Sequence, residues 1–249
     1  MISIDDNCLL VLFIDIVCFK FIYEVIFGIF MHKIVKNLLD IENNIKAYLN
    51  KLNINSKPNI IAVSKTFKID KILPLIEYGH ADFGENKVQE AIEKWTETKK
   101  TNPQIKLHMI GKLQTNKVKS AVRIFDYVHS VDSIKLAKKI ADEQTKINKK
   151  IKVFLQINIG DEDQKSGINK AEANDIVTYC KEIGLDLIGL MCIPPANIDP
   201  ADYFKEMNKL NNSFGFVDLS MGMSSDYLVA SKNSATYVRV GSSIFGNRS

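Results

Sequence analysis

At 249 residues, with 46% hydrophobic and 25% charged residues, the chain has the composition of one large globular domain, which excludes a disordered or fibrous protein. Its formal charge of +4 is carried almost wholly by lysine, since only Arg123, Arg239 and Arg248 are arginines, and no clustered basic stripe marks a nucleic-acid binder. Cys8, Cys18, Cys180 and Cys192 form no CxxC pair, and His32, His80, His108 and His129 fall at no metal-ligand spacing, so a reducing, cytoplasmic setting without a metal site is expected.

Residues 1–30 stand apart. From Cys8 to Phe30 the chain is mostly Leu, Val, Ile and Phe, broken by Asp15, Lys20 and Glu24. On a membrane-insertion scale about sixteen apolar residues gain roughly 5–10 kcal/mol, and three central charges cost roughly 7–10. The two nearly cancel, and no basic n-region or small-residue cleavage site marks a signal peptide. The segment is read as an extension ahead of a true start at Met31, with a membrane-surface segment as the alternative.

From Met31 onward, short β-rich runs alternate with helical periodicity. Ile34, Leu38, Ile41, Ile45, Tyr48 and Leu52 recur every three or four residues and predict a first helix. The run Ile60–Lys65 then predicts a strand buried on both faces, followed by a short helix stopped at Gly79. Further strands are predicted at Ala81–Gly84, Lys106–Ile110, Tyr127–Ser130, Lys152–Asn158, Leu187–Met191, Val217–Ser220 and Tyr237–Val240. Helical stripes separate them, such as Val88, Ile92 and Trp95, or Tyr203, Met207, Leu210 and Phe214. Eight strands with intervening helices predict a single-domain α/β fold over 31–249, a (β/α)8 TIM-type barrel preceded by an N-terminal helix; an open doubly wound sheet is the alternative.

Barrels of this kind carry function at the C-terminal ends of their strands. Lys65 follows the first strand, where loss of hydration disfavours the ammonium and leaves more nucleophilic amine, as imine formation with an aldehyde requires. Alone, it is one lysine among many. After strand seven comes Met221-Gly222-Met223-Ser224-Ser225-Asp226, in which Ser224 is expected to cap a short helix and face an anion. After strand eight, Gly241 permits close backbone approach, and Ser242 and Ser243 add donors. These two loops match the usual phosphate-binding position of the barrel, and Arg239 stands beside them as a surface cation or a phosphate clamp. Without further information, a Schiff-base aldolase acting on a phosphorylated substrate fits these residues.

Several segments in one order carry a more specific signal. They include Ala62-Val63-Ser64-Lys65-Thr66, Phe83-Gly84-Glu85-Asn86-Lys87-Val88-Gln89-Glu90 and His108-Met109-Ile110-Gly111-Lys112-Leu113-Gln114-Thr115-Asn116-Lys117. Downstream lie Gln156-Ile157-Asn158, Lys165-Ser166-Gly167-Ile168, Leu219-Ser220-Met221-Gly222-Met223-Ser224 and Val238-Arg239-Val240-Gly241-Ser242-Ser243-Ile244-Phe245-Gly246. From about Met31 to Arg248 the chain thereby resembles the pyridoxal phosphate homeostasis protein family, a barrel related to the N-terminal domain of alanine racemase. The resemblance implies that pyridoxal 5′-phosphate is held as a Schiff base on Lys65. Ser224, Gly241 and Ser242 would hold its phosphate, Arg239 would face its pyridine nitrogen and Asn86 would lie near the ring. Lys112 stands where many members have histidine and is given no role.

An arginine donor leaves the pyridine nitrogen unprotonated and makes a weaker electron sink than a carboxylate partner would. The sequence also runs out at Ser249, after the eighth strand's loop, without the additional β-domain that supplies a racemase's second base. The expected function is therefore pyridoxal phosphate buffering or delivery, with PLP-dependent apoenzymes as conceivable recipients, no nucleic-acid partner and no residue in a catalytic role. A PLP-dependent amino-acid racemase is the alternative.

Overall fold

Strand β1 (Asn59–Val63) is apolar on four successive residues because both of its faces are covered. Ala62 packs outward into the layer shared with the helices, and Ile61 points into the barrel. The same alternation recurs in β2 (Asp82–Glu85), β3 (Lys106–Met109), β4 (Tyr127–Val131) and β5 (Lys152–Ile157), and again in β6 (Asp186–Cys192), β7 (Asp218–Ser220) and β8 (Tyr237–Val240). These are the eight strands expected from the sequence, with no end shifted by more than two residues. The fold is that of a computed structural model describing residues 32–162 and 166–247. The expected extension at residues 1–30, Lys165 and Arg248 lie outside the described residues.

The strands pair in parallel in sequence order, and β8 returns to β1 with Ile61 opposite Arg239 and Ala62 opposite Val240. That last pairing closes the barrel and rules out the open-sheet alternative. Helices α1 (Lys33–Lys51), α2 (Ile69–Glu77), α3 (Val88–Thr101), α4 (Val118–Ile124) and α5 (Ile134–Lys146) alternate with the first strands. They are followed by α6 (Ala173–Glu182), α7 (Ala201–Ser213), α8 (Tyr227–Lys232) and α9 (Ser242–Phe245).

Helix α1 precedes the first strand, as its periodicity predicts. His32 caps it by accepting from the Ile34 N–H at 3.2 Å, and Ile34, Val35, Leu38, Ile41, Ile45 and Leu49 form its buried stripe. That stripe packs on α8, α9 and α2, and the Asn37 amide donates to the Ile244 carbonyl at 2.8 Å. The N-terminal helix thus braces the last βα unit, which carries one wall of the cleft described next. Among the described residues, no helix is long and apolar enough to cross a membrane.

Candidate functional site

A cleft of about 800 Å³ opens at the C-terminal ends of the strands, a size within the range of small-molecule sites. Lys65, Asn86, Ser224, Arg239, Gly241 and Ser242 all line it, so the six residues singled out from sequence converge on one space. Gln156, Ser166 and Ile193 complete its walls, and Lys112 stands exposed at its mouth.

Lys65 lies in the turn immediately after β1, and its two neighbours are pinned. On one side, Ser64 is buried: its hydroxyl donates to Glu85 Oε1 at 2.7 Å, and its carbonyl accepts from Lys94 Nζ at 2.9 Å. On the other, the Thr66 N–H donates to Glu90 Oε1 at 2.5 Å while Thr66 holds a φ of 70°. A β-branched residue pays for that left-handed backbone, on the order of 1–3 kcal/mol, so the turn is held by its surroundings rather than by its own preference. Glu85 is the hub. Its Oε1 also accepts from Lys94 Nζ at 2.9 Å and from Trp95 Nε1 at 3.0 Å, and burial pushes its carboxyl pKa up against these donors. In the sequence, Glu85 stands within one of the segments that carry the family resemblance and is assigned no role there. The signal was available, because Lys94 and Trp95 follow on the helix that Glu85 leads into.

Asn86 comes next in the chain. Its Oδ1 is buried and has no hydrogen-bond partner among the described residues. Gly111 lies so close that a Cβ there would sit 2.5 Å from the Asn86 carbonyl oxygen, so the loop after β3 needs glycine at this point to leave room for Asn86.

The opposite wall departs from one expectation. Ser224 does not cap α8; Asp226 occupies that position and accepts from the Met223 N–H at 2.5 Å. Ser224 instead accepts from the Gly241 N–H at 3.3 Å and so ties the loop after β7 to the loop after β8. The physical reason is loop length: two residues, Ser225 and Asp226, separate Ser224 from the first turn of α8, and the reach across to Gly241 prevails. Gly241 does bring the backbone close, since a Cβ there would lie 3.3 Å from the Val63 carbonyl oxygen.

Arg239 is 4% exposed and projects from β8 into the barrel. Its guanidinium donates to Ser220 Oγ at 2.7 Å and to the Cys192 carbonyl at 2.9 Å. Burial lowers its pKa, but arginine stays a cation in proteins. Beneath it, polar groups continue along the interior. Ser220 Oγ is 2.8 Å from His129 Nδ1, His129 Nε2 is 3.0 Å from His108 Nδ1, and His108 Nε2 is 3.0 Å from Asp82 Oδ1. His129 and Ser220 are both fully buried inside the barrel.

This interior has a consequence for stability. Desolvation lowers the pKa of His80, His108 and His129 below the ordinary value of 6.5. The unfolded chain therefore binds more protons than the folded one below about pH 6.5, and stability falls as pH drops, by up to about 1.4 kcal/mol per pH unit for each histidine kept neutral. Glu85 acts in the opposite sense: its raised pKa contributes stability near its ordinary 4.5 and below, which is lost as pH rises. Urea midpoints are expected to fall steadily from about pH 7 to pH 5. A flat profile across that window would show that the buried histidines are not neutral.

Comparison with known proteins is consistent with this geometry. Residues 37–249 match the family described as alanine racemase, N-terminal domain. A pyridoxal phosphate homeostasis protein of Pasteurella multocida is 35% identical over 227 residues, covering 86% of this chain and 97% of that protein. The chain belongs to the pyridoxal phosphate homeostasis protein family. Another member, from Escherichia coli K12, is 32% identical over 229 residues, covering 88% of this chain and 98% of its own. Among solved structures, PipY of Synechococcus elongatus with PLP bound superposes with a TM-score of 0.70 at 31% identity, over 81% of this chain and all of PipY. An alanine racemase of Clostridium difficile shares the fold at a TM-score of 0.65 and 17% identity, over 86% of this chain and 56% of the racemase.

Proposed function

We propose that this chain binds pyridoxal 5′-phosphate in its strand-end cleft, holds it covalently through Lys65, and serves to buffer or deliver the cofactor in the cytoplasm rather than to turn over a substrate. The observation that carries this reading is the convergence of Lys65, Asn86, Ser224, Arg239, Gly241 and Ser242 on one cleft, in a family whose member PipY has been seen with PLP bound. The residues fit the group. Asn86 Oδ1 is a buried acceptor lacking a donor among the described residues, at a cost of about 1–3 kcal/mol that a ligand donor removes, and Arg239 brings a buried cation with no carboxylate among the described residues in hydrogen-bond contact.

When bound, the cofactor supplies an aldehyde for reversible imine formation with a lysine amine. The chain's own residues do the rest. The pinned turn aims Lys65, the paired loops at Ser224 and Gly241–Ser242 present donors to an anion, and Arg239 presents N–H groups that cannot act as acceptors. Because Arg239 only donates, it favours an unprotonated ring nitrogen, which suits storage better than carbanion chemistry. Recipients of the cofactor are read as PLP-dependent apoenzymes.

The test is borohydride reduction of the protein after incubation with pyridoxal phosphate, followed by peptide mass spectrometry. A reduced pyridoxyl phosphate adduct on Lys65 is expected, together with negligible conversion of L-alanine to D-alanine. No adduct in excess cofactor would overturn binding through Lys65. Robust alanine racemisation that disappears in Lys65→Ala would replace the storage reading with the racemase one.

A further inference from the structure

The buried polar chain under Arg239 has a direction. An arginine at one end can only donate, and a carboxylate at the other can only accept, so the protons between them have a single consistent arrangement. Asp82, whose pKa is lowered with His108 contributing, accepts the hydrogen bond of His108 Nε2–H. His108 Nδ1 is then an acceptor and receives His129 Nε2–H across 3.0 Å. His129 Nδ1 in turn accepts from the Ser220 hydroxyl at 2.8 Å, and Ser220 Oγ accepts from Arg239. Both nitrogens of each ring and the Ser220 hydroxyl thus have partners of the right sense, as a stable buried polar network requires.

The surroundings favour neutral rings. His108 stacks on Tyr127 with centroids 4.2 Å apart, and His129 stacks on Phe154 at 4.3 Å. Tyr237 closes the third side of both rings, and Lys106 and Asp126 are the further charges acting on His108. Burial disfavours imidazolium at His129, and a positive charge there would be repelled by His108 and by Arg239, one hydroxyl away.

We propose that Asp82, His108, His129 and Ser220 form a one-directional hydrogen-bond wire along the barrel, with both histidines as neutral Nε2–H tautomers. Through it, Asp82 at the far end of the barrel acts as a positioning residue for Arg239 at the floor of the cleft. The wire itself stands without any ligand; its effect on pyridoxal phosphate rests on the reading given above. The charge on Asp82 sets the direction. With asparagine in its place, the amide can donate to His108, and both rings can reverse.

Long-range ¹H–¹⁵N spectra of the ligand-free, labelled chain read the wire directly. Both buried histidines are expected as Nε2–H tautomers, unchanged between about pH 6 and pH 8. An imidazolium or an Nδ1–H tautomer at either residue would overturn the proposal whether or not the protein binds cofactor. In Asp82→Asn, the His129 signals are expected to shift towards Nδ1–H although His129 does not touch residue 82; an unchanged His129 would also overturn it. The coupling to the cleft is read as pyridoxal phosphate affinity. Asp82→Asn is expected to weaken binding on the order of fivefold, the lower range of typical coupling between sites, and to do so no longer once Ser220→Ala has cut the wire. Equal losses with and without Ser220 would show that Asp82 acts by some other route.

Discussion

Lys65→Ala is expected to abolish the borohydride-stable adduct and to weaken pyridoxal phosphate retention on the order of a hundredfold, equivalent to about 2.7 kcal/mol. The cleft is lined by two lysine amines among the described residues, and they differ in setting. Lys65 is half-buried between Ser64 and Thr66, whose backbones are both tied to α3, whereas Lys112 is exposed on the loop after β3. A pinned backbone reduces the freedom that Lys65 must surrender on forming a covalent link, an advantage the exposed Lys112 lacks. Lys112→Ala should therefore keep the adduct. The residual affinity of Lys65→Ala comes from the anion-facing loops and Arg239, which the substitution leaves in place. Because residue 65 lies outside β1, the thermal midpoint should move by no more than about 2–4 °C. An adduct that persists at Lys112 in the Lys65→Ala protein would mean that the turn does not select the amine.

The barrel could be read from the sequence because its strands are short, several of them (β1, β5 and β6 above all) are apolar on consecutive residues, and helical stripes separate them. Boundaries slipped where side chains rather than pattern decide them. The run Ile60–Lys65 is continuous in sequence, yet β1 ends at Val63 because Ser64 turns away to bond Glu85 and Lys94. Lys65, Ser224, Arg239, Gly241 and Ser242 were legible because they lie at strand ends and in small-residue loops, whereas Asn86 came only from the family resemblance. The interior wire was not. Asp82, His108, His129, Ser220 and Arg239 come from five different strands, and only closure of the barrel brings them into a row. Their one local sign is a polar side chain within or ending an apolar run, which looks the same whether the group faces ligand or is paired inside. The role of Ser224 was misjudged for a related reason. Local spacing suggested a cap, but its partner is Gly241, seventeen residues away in sequence and adjacent across the closed sheet.

Glu85→Leu is expected to lower stability by about 3–5 kcal/mol, or roughly 6–20 °C in thermal midpoint for a domain of this size. The carboxylate is fully buried, and three donors converge on its Oε1: Ser64, Lys94 and Trp95. Removing it strands the Trp95 N–H, the Ser64 hydroxyl and an ammonium whose side chain is only 7% exposed, leaving Lys94 with Glu90 and the Ser64 carbonyl. Most of the loss is therefore the cost of an abandoned charge, not the worth of the ion pair. Adding Lys94→Met to Glu85→Leu should recover more than half of it, because replacing both members of a buried pair with apolar side chains is often close to neutral. Cofactor retention should behave differently. The double variant still lacks the Ser64 hydroxyl and carbonyl contacts that hold the turn before Lys65, so adduct formation should stay slow although the fold is restored. Denaturant midpoints and the rate of appearance of the reduced adduct, measured on the same three proteins, separate these effects. Recovery of both together would mean that the network only stabilises the barrel, whereas recovery of stability alone assigns Glu85 and Lys94 to holding Lys65 in place.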